Sequence, residues 1–271
     1  MKQCKICEGP TSNLGDSLFL GRHVGEYEYC NTCGFTFIRD PYWLDEAYDS
    51  AITAVDLGSV YRTDIFSGLL KTLIHTFANS QASFVDYGGG YGLLVRRMRD
   101  LGYDYHWFDK HCENLFATGF DAVQPPDAQY EMLTAIEVFE HLLDPVAEME
   151  AITKFTDHIV FTTEIIPRPP PAPGTWWYYG PEHGQHISFY TWDTLNRLAR
   201  RFNLHFVTNG ALHMFTKHKV NQHLFSTILK PRVSRVLNTF IGQESLLTND
   251  FENQRRKVIE SQAKLPIRND A

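Results

Sequence analysis

The stretch Phe84-Val-Asp-Tyr-Gly-Gly-Gly-Tyr-Gly92 decides the fold of this 271-residue chain. It reads as a buried strand that runs into a glycine turn, and Leu93–Arg99 then has the apolar spacing of an amphipathic helix. The turn has the pattern D-x-G-x-G-x-G, formed by Asp86, Gly88, Gly90 and Gly92. Glycine can adopt positive φ and carries no Cβ, so this strand, turn and helix predict a site where a small cofactor lies against the main chain.

The residues around the turn narrow the choice of cofactor. A second apolar stretch, Tyr103–Asp109, ends in an acid that a parallel strand would deliver onto ribose hydroxyls. The sequence has no G-x-x-x-x-G-K-[ST] loop for a phosphate, and its glycine spacing differs from the G-x-G-x-x-G of dinucleotide sites. Asp86 would repel a pyrophosphate and attract a sulfonium or an amino group. The pattern therefore favours a nucleoside cofactor with a positive charge.

A third motif follows the predicted fourth strand and reads Leu133-Thr-Ala-Ile-Glu-Val-Phe-Glu-His-Leu-Leu-Asp-Pro145. With this motif the chain resembles the class I S-adenosylmethionine-dependent methyltransferases over residues 60–212. The resemblance implies an α/β fold with a doubly wound, Rossmann-like, seven-stranded sheet. By position it also assigns the cofactor S-adenosylmethionine (SAM) to Asp86, Gly88, Gly90, Gly92 and Asp109.

Two further groups of residues are expected near the cofactor. Glu137 lies where the chain leaves the fourth strand, at the carboxyl edge where open α/β sheets place ligands, so we expect it near the sulfonium or the methionine amine. Glu140 and His141 are expected to orient this loop or to pair with each other. Apolar residues from 65 to 77 predict a helix, and Tyr61 and Arg62 at its start are either partners of the methionine carboxylate or ordinary surface residues.

Four of the five cysteines form two C-x-x-C pairs, Cys4 with Cys7 and Cys30 with Cys33. Two such pairs complete a tetrahedral zinc shell, and their spacing predicts a zinc ribbon with hairpin strands at Leu18–Leu20 and Glu26–Tyr29. Four thiolates leave no open position, so we expect a structural Zn²⁺ that supplies folding free energy. Two disulfides are the rival interpretation, whereas a redox site needs only one pair. Cys112 is expected to be an idle thiol.

The segment from Pro167 to Tyr190 is predicted to be a long ordered loop on the substrate side, because its prolines forbid a regular helix. It carries four consecutive aromatic residues that end at Tyr179, followed by Glu182, His183 and His186. Aromatic faces and hydrogen-bonding groups suit a sugar, and a histidine is the natural base for an acceptor hydroxyl. A lid, a dimer contact or a hydrogen-bonded loop is the alternative.

The same region resembles that of zinc-containing sugar methyltransferases, including deoxysugar C-methyltransferases. Their Tyr-x-Glu-His corresponds here to residues 183–186, so the basic histidine is retained as His186 while the tyrosine and glutamate are not. Those enzymes continue into a further domain, whereas this sequence ends at Ala271 after a basic tail that is predicted to be helical. We therefore expect O-methylation of a sugar, glycan or other small polar acceptor rather than C-methylation.

Composition limits the other functions. A net charge of −7 makes nucleic acid an improbable partner, and no apolar run or signal peptide is evident, so we expect a cytoplasmic protein without a membrane span. A zinc-ribbon RNA methyltransferase and a catalytically inactive SAM-binding module stay open as alternatives, and a homodimer is possible.

The expected division is a zinc ribbon at 1–40, a helical lead-in at 41–80, the SAM-binding domain at 81–217 and a helical tail at 218–271.

Overall fold

The computed structural model describes residues 3–49, 56–125 and 129–263. The N-terminal elements are β1 (Thr11–Phe19), β2 (His23–Cys30), β3 (Thr36–Ile38), α1 (Leu44–Ala47) and α2 (Ser59–Phe77). The middle of the chain forms β4 (Ser83–Tyr87), α3 (Leu93–Asp100), β5 (Asp104–Phe108), β6 (Met132–Ala135), α4 (Pro145–Ile152) and β7 (His158–Phe161). The remaining elements are β8 (Ser188–Phe189), α5 (Trp192–Arg201), β9 (His205–Thr208), β10 (His213–Thr216), α6 (Gln222–Ile228), α7 (Pro231–Phe240) and α8 (Leu247–Gln262).

The central sheet has the strand order β5-β4-β6-β7-β10-β9. Strands β5, β4, β6 and β7 are parallel, whereas β10 runs antiparallel to both of its neighbours. The predicted mixed α/β fold with a mostly parallel sheet is confirmed. The predicted count of seven strands is not, because the described residues place six in this sheet. The seventh position, next to β5, holds a single parallel bridge between Trp107 and Asp121, and Pro125 has no N–H with which to extend it.

Helices cover both faces of this sheet. Alternate residues of β4 point to opposite faces, so that Phe84 belongs to the core under α2 and α3 while Val85 belongs to the core under α4 and α5. Helix α3 begins directly after Gly92, where the glycine turn ends, and buries Val95 and Met98. Helix α4 begins after Asp144, whose side chain caps the first turn. The glycine turn is thereby fixed at the carboxyl edge of the sheet.

A second sheet has the order β1-β2-β3-β8. Strands β1 and β2 form an antiparallel hairpin that contains both predicted hairpin strands. The fourth strand, Ser188–Phe189, comes from the far side of the predicted boundary at residue 40 and pairs with Thr36 and Phe37. Aromatic residues from both parts share one core, in which Tyr27 and Tyr179 have ring centroids 4.8 Å apart. The sheet therefore joins the cysteine-rich N-terminus to the loop that was predicted to face the substrate.

The described residues after Lys217 include helices α6, α7 and α8. The buried guanidinium of Arg99 on α3 donates to both carboxylate oxygens of Asp250 on α8, at 2.9 and 2.8 Å. This bidentate pair holds the tail against the sheet domain. Within the described ranges, no helix has the length and apolar character that a membrane span requires.

Candidate functional site: a cofactor cavity beside a histidine cluster

The glycine turn after β4 is built from left-handed backbone. Gly88, Gly90 and Gly92 have φ values of 66°, 53° and 87°. A Cβ on Gly88 would lie 2.7 Å from Val138 Cγ2, so a side chain would not fit there. A Cβ on Gly90 would meet no atom within 4 Å, which means that the main chain at this residue borders open space. The turn thus has the bare, exposed backbone that a closely held ligand requires.

Asp86 lies beneath this turn and is buried. Thr134 on β6 donates a hydrogen bond of 2.6 Å to its Oδ1. Burial and, to a lesser extent, the charge of Asp109 raise the pKa of Asp86 to about 7, while the Thr134 hydroxyl opposes that rise. Asp86 therefore supports the turn from below and does not line the cavity described next.

Asp109 follows β5 and ties two loops together. Its Oδ2 accepts a hydrogen bond of 2.9 Å from the Gly90 N–H. Its Oδ1 accepts from the N–H groups of His111 and Cys112, at 2.7 and 2.9 Å. The carboxylate thereby joins the glycine turn to the loop after β5, at the place where ribose hydroxyls were expected.

Glu137 follows β6 and adopts the left-handed conformation, with φ of 55°. Its backbone N–H donates to Thr162 Oγ1, and that hydroxyl in turn donates to Glu137 Oε1, both at 2.7 Å. A non-glycine residue in this region carries backbone strain and persists where its surroundings hold it. The Thr162 clamp therefore fixes the carboxylate at the sheet edge.

A cavity of about 590 Å³ opens at the carboxyl ends of β4, β5 and β6. Four of the predicted cofactor residues line it, namely Gly88, Gly90, Asp109 and Glu137. The cavity is also lined by His141, by Gln185 of the predicted substrate-side loop, and by Tyr48, which no sequence motif marks. The volume lies in the range of ordinary ligand pockets.

Four other predicted cofactor residues, including Asp86, are not among the described residues that line the cavity. Gly92 serves as the N-cap of α3. Tyr61 is 72% exposed, and the guanidinium of Arg62 pairs with both carboxylate oxygens of Asp56 at 2.9 and 3.0 Å. The structure thus gives Arg62 a carboxylate partner from its own segment.

Three histidine rings meet beside the cavity, and one of them, His141, lines it. The centroid of His186 lies 5.0 Å from that of His141 and 4.5 Å from that of His183. Burial, followed by the neighbouring histidine charges, lowers the pKa of His186 well below its ordinary value, and burial lowers the pKa of His141 to about 4. Both rings are therefore neutral at neutral pH.

The other two predicted catalytic residues are Tyr179 and Glu182. Tyr179 is fully buried, and its hydroxyl donates to the Pro171 carbonyl at 2.8 Å. Glu182 is exposed, and its charge raises the pKa of His183, although burial lowers that pKa more strongly. Tyr179 therefore packs inside the protein, whereas Glu182 lies on its surface.

The four sulfur atoms of Cys4, Cys7, Cys30 and Cys33 lie within 4.8 Å of one another. Cys4 and Cys33 are 3.7 Å apart and Cys7 and Cys30 are 3.5 Å apart, much longer than the S–S bond of a disulfide. A tetrahedral ion with thiolates at about 2.3 Å would place its ligands about 3.8 Å apart. N–H groups within both knuckles also point at sulfur, at 3.4 Å each. The four residues fit a closed tetrahedral metal shell.

Hydrogen bonds join the four-cysteine cluster to the chain segment that carries His183 and His186. Thr191, the cap of α5, donates to the Cys33 carbonyl at 2.6 Å. On the other side of the same sheet, Ile187 accepts from the Ile38 N–H and donates to the Glu140 carbonyl, at 2.9 and 2.8 Å. The backbone beside His186 is therefore held between β3 and the loop after β6.

A cavity at the carboxyl edge of a mostly parallel sheet, bordered by a glycine turn and an acid, defines an α/β protein that holds a nucleoside cofactor. A family model described as a methyltransferase domain matches residues 61–209, more than half of the chain. The chain belongs to this methyltransferase family, and the predicted enzyme class, a SAM-dependent methyltransferase, is confirmed. No curated protein matches the chain in sequence.

Solved structures resemble this chain at low identity. The plantazolicin methyltransferase BpumL in complex with S-adenosylhomocysteine (SAH) is 11% identical, with a TM-score of 0.46, and the match covers 74% of this chain and 85% of that one. A SAM-dependent methyltransferase from Leishmania major is 14% identical, with a TM-score of 0.45 and coverages of 64% and 82%. Magnesium protoporphyrin IX methyltransferase from Synechocystis PCC 6803 with bound SAH is 12% identical, with a TM-score of 0.42 and coverages of 65% and 91%.

Proposed function

We propose that the enzyme transfers the methyl group of SAM to a hydroxyl of a small polar acceptor, a sugar or glycan. One observation carries this proposal. One cavity is lined by the glycine turn, Asp109 and Glu137 and also by His141, so a cofactor and an acceptor can meet in it. The aromatic loop of residues 167–190 supplies the faces on which a sugar ring packs.

The cofactor site of this proposal consists of the residues predicted from sequence. Gly88, Gly90 and Asp109 would border the nucleoside, and Glu137 would face the positive end of the cofactor. Asp86 and Gly92 would act beneath the turn by keeping its shape, and Tyr61 and Arg62 are assigned to the methionine carboxylate. SAM supplies an electrophilic methyl group, and the protein supplies alignment of the acceptor for in-line transfer.

The acceptor site of this proposal is centred on His186. Its Nδ1–H donates to the Tyr178 carbonyl at 2.7 Å, so the lone pair lies on Nε2. In the simplest mechanism Nε2 accepts the hydroxyl proton while the O–C bond forms and the S–C bond breaks. His183 and Glu182 would border the acceptor, and Tyr179 would hold the aromatic loop in place. A structural Zn²⁺ on the four cysteines would fix the ribbon at 1–40 as the support of this loop.

Two titrations test the cofactor half of the proposal. Zinc-loaded protein should bind SAH with micromolar affinity in a calorimeter, and Asp109→Ala should weaken that binding by at least tenfold, about 1.4 kcal/mol. Asp16→Ala is the matched control, because Asp16 is an exposed carboxylate on β1 that does not line the cavity. Absence of SAH binding in folded protein would contradict the proposed cofactor site.

Transfer of a labelled methyl group to nucleotide sugars and glycans tests the acceptor half. His186→Ala should abolish transfer and leave SAH affinity within about twofold, because His186 does not line the cofactor cavity. Transfer to RNA with strong salt dependence, and none to sugars, would instead favour the RNA methyltransferase alternative. Sedimentation of the same samples tests the predicted homodimer.

A further inference from the structure

Glu140, His141 and His186 form a second cluster of metal-ligating groups, separate from the four cysteines. One ligand atom of each lies within 4.8 Å of those of the other two. Atoms that share an ion at about 2.1 Å lie at most about 4 Å apart, so small side-chain adjustments would close this shell. Glu140 and His141 come from the loop after β6, and His186 comes from the loop at 167–190. The backbones of these two loops are joined by the Ile187–Glu140 hydrogen bond.

The carboxylate of Glu140 is the independent sign that a ligand belongs here. The residue is fully buried, and neither of its oxygens meets the geometry of a hydrogen bond among the described residues, although the Tyr178 and Thr163 hydroxyls lie near enough to lower its pKa, which burial raises. A buried carboxylate without a partner is costly, and native proteins pair such groups or use them to coordinate metals. The side chain thus offers carboxylate oxygens with no partner at hydrogen-bond geometry inside a closed environment.

Both histidines present the nitrogen that a metal needs. His186 Nδ1 lies 2.7 Å from the Tyr178 carbonyl oxygen, and His141 Nδ1 lies 3.0 Å from the Gln185 carbonyl oxygen. A carbonyl oxygen only accepts, so each Nδ1 carries the proton and each Nε2 has a free lone pair. This backbone anchoring is the arrangement by which proteins orient imidazole ligands of metals.

We propose that Glu140, His141 and His186 bind a divalent transition cation of the Mn²⁺, Fe²⁺, Co²⁺ and Zn²⁺ group, and that this cation binds two adjacent oxygens of the acceptor. One carboxylate and two imidazoles suit these ions better than Mg²⁺ or Ca²⁺, which prefer oxygen alone. Three protein ligands leave positions open, as in catalytic sites. His141 also lines the cofactor cavity, so the cation lies at the border between cofactor and acceptor.

This inference rests on the proposed methyl transfer for its chemistry and narrows the acceptor to a vicinal diol or an α-hydroxy carbonyl. A metal-bound hydroxyl is far more acidic than a free one. Its O–H bond breaks and the proton passes to water, the oxygen then forms the O–C bond, and the S–C bond breaks. The His186 lone pair is held by the cation, so the cation replaces His186 as the group that activates the hydroxyl.

Binding of Mn²⁺ alone tests the site without any acceptor. Mn²⁺ is titrated into full-length protein that carries one Zn²⁺ per chain, held by the four thiolates, and the free Mn²⁺ is measured by its electron paramagnetic resonance signal. The thiolates of the ribbon prefer softer ions, so they should retain zinc. The wild-type chain should bind one Mn²⁺, and Glu140→Gln or His186→Ala should each weaken binding by at least tenfold. His218→Asn, which removes an imidazole elsewhere, should leave it unchanged.

SAH titration of the same samples separates the two proposals. SAH binding without Mn²⁺ binding by the wild type would overturn the metal site and leave the proposed function standing. Mn²⁺ binding without SAH binding would overturn the proposed function alone. Glu140→Gln has the shape of a protonated glutamate, so unchanged Mn²⁺ affinity in this variant would show that Glu140 is a structural acid and would also overturn the metal site.

Discussion

Asp86→Asn should change the way in which stability depends on pH. Asp86 has a folded-state pKa of about 7 against an ordinary value of 3.8, chiefly because it is buried. The folded state therefore holds a proton that the unfolded state has already lost between these two values. It follows that stability contributed by this group is present at low pH and is lost as the pH rises through 7. Asparagine has no titratable proton, so the variant lacks this pH dependence.

The magnitude follows from the pKa difference. Each pKa unit corresponds to about 1.4 kcal/mol, so the stability of Asp86→Asn relative to wild type should rise by about 3 kcal/mol between pH 5 and pH 8. Loss of an ideal hydrogen-bond partner for Thr134 adds an offset of about 1 kcal/mol that does not depend on pH. The slope, rather than the offset, carries the prediction.

The pH dependence is measured by urea unfolding of zinc-loaded, cofactor-free protein at pH 5, 6, 7 and 8. Unfolding of the wild type and of Asp86→Asn is followed by circular dichroism. Zinc release at low pH affects both variants equally and cancels in the difference. Thr134→Val is the control, because it removes the hydroxyl that lowers the Asp86 pKa and should steepen the pH dependence of the wild-type background. Parallel stability curves for wild type and Asp86→Asn would refute the reasoning.

Three further perturbations have defined outcomes. Arg99→Met leaves the buried Asp250 without its bidentate partner and should lower the free energy of unfolding by about 3 kcal/mol in urea, whereas Arg197→Met on the surface should cost less than 1. Tyr190→Phe removes a buried hydrogen bond to the Phe139 carbonyl and should cost about 1 kcal/mol by the same assay. Removal of the proposed Zn²⁺ by a chelator should lower the melting temperature and expose the loop at 167–190 to protease before the glycine turn at 88–92, and equal cleavage of both regions would contradict this order.

Local patterns predicted most elements of the sheet domain. The alternate glycines at 88, 90 and 92 permit the left-handed backbone observed there, and the apolar spacing of residues 93–99 matches α3 as observed. The four cysteines were also paired correctly as one cluster, because each C-x-x-C turn presents two sulfurs by itself. Each of these features depends on residues that are close in sequence.

Features that depend on distant pairing were missed. The seventh strand was inferred from the family resemblance, and nothing local showed that Asp121 would make only one bridge. Glu140 was expected to orient its loop, because its burial without a partner becomes visible only after the histidine loop folds over it. Tyr48 lines the cavity through tertiary packing that no spacing rule reports.

The shared four-stranded sheet has a consequence for synthesis of the protein. Strands β1 to β3 leave the ribosome first, but their fourth partner, Ser188–Phe189, is made about 150 residues later, roughly 8–30 s at ordinary elongation rates. During that interval the edge of β3 is unpaired and its aromatic core is incomplete. Early metal capture by the N-terminal thiols would protect this nascent segment, so the zinc supply during synthesis should affect the yield of folded enzyme before it affects turnover.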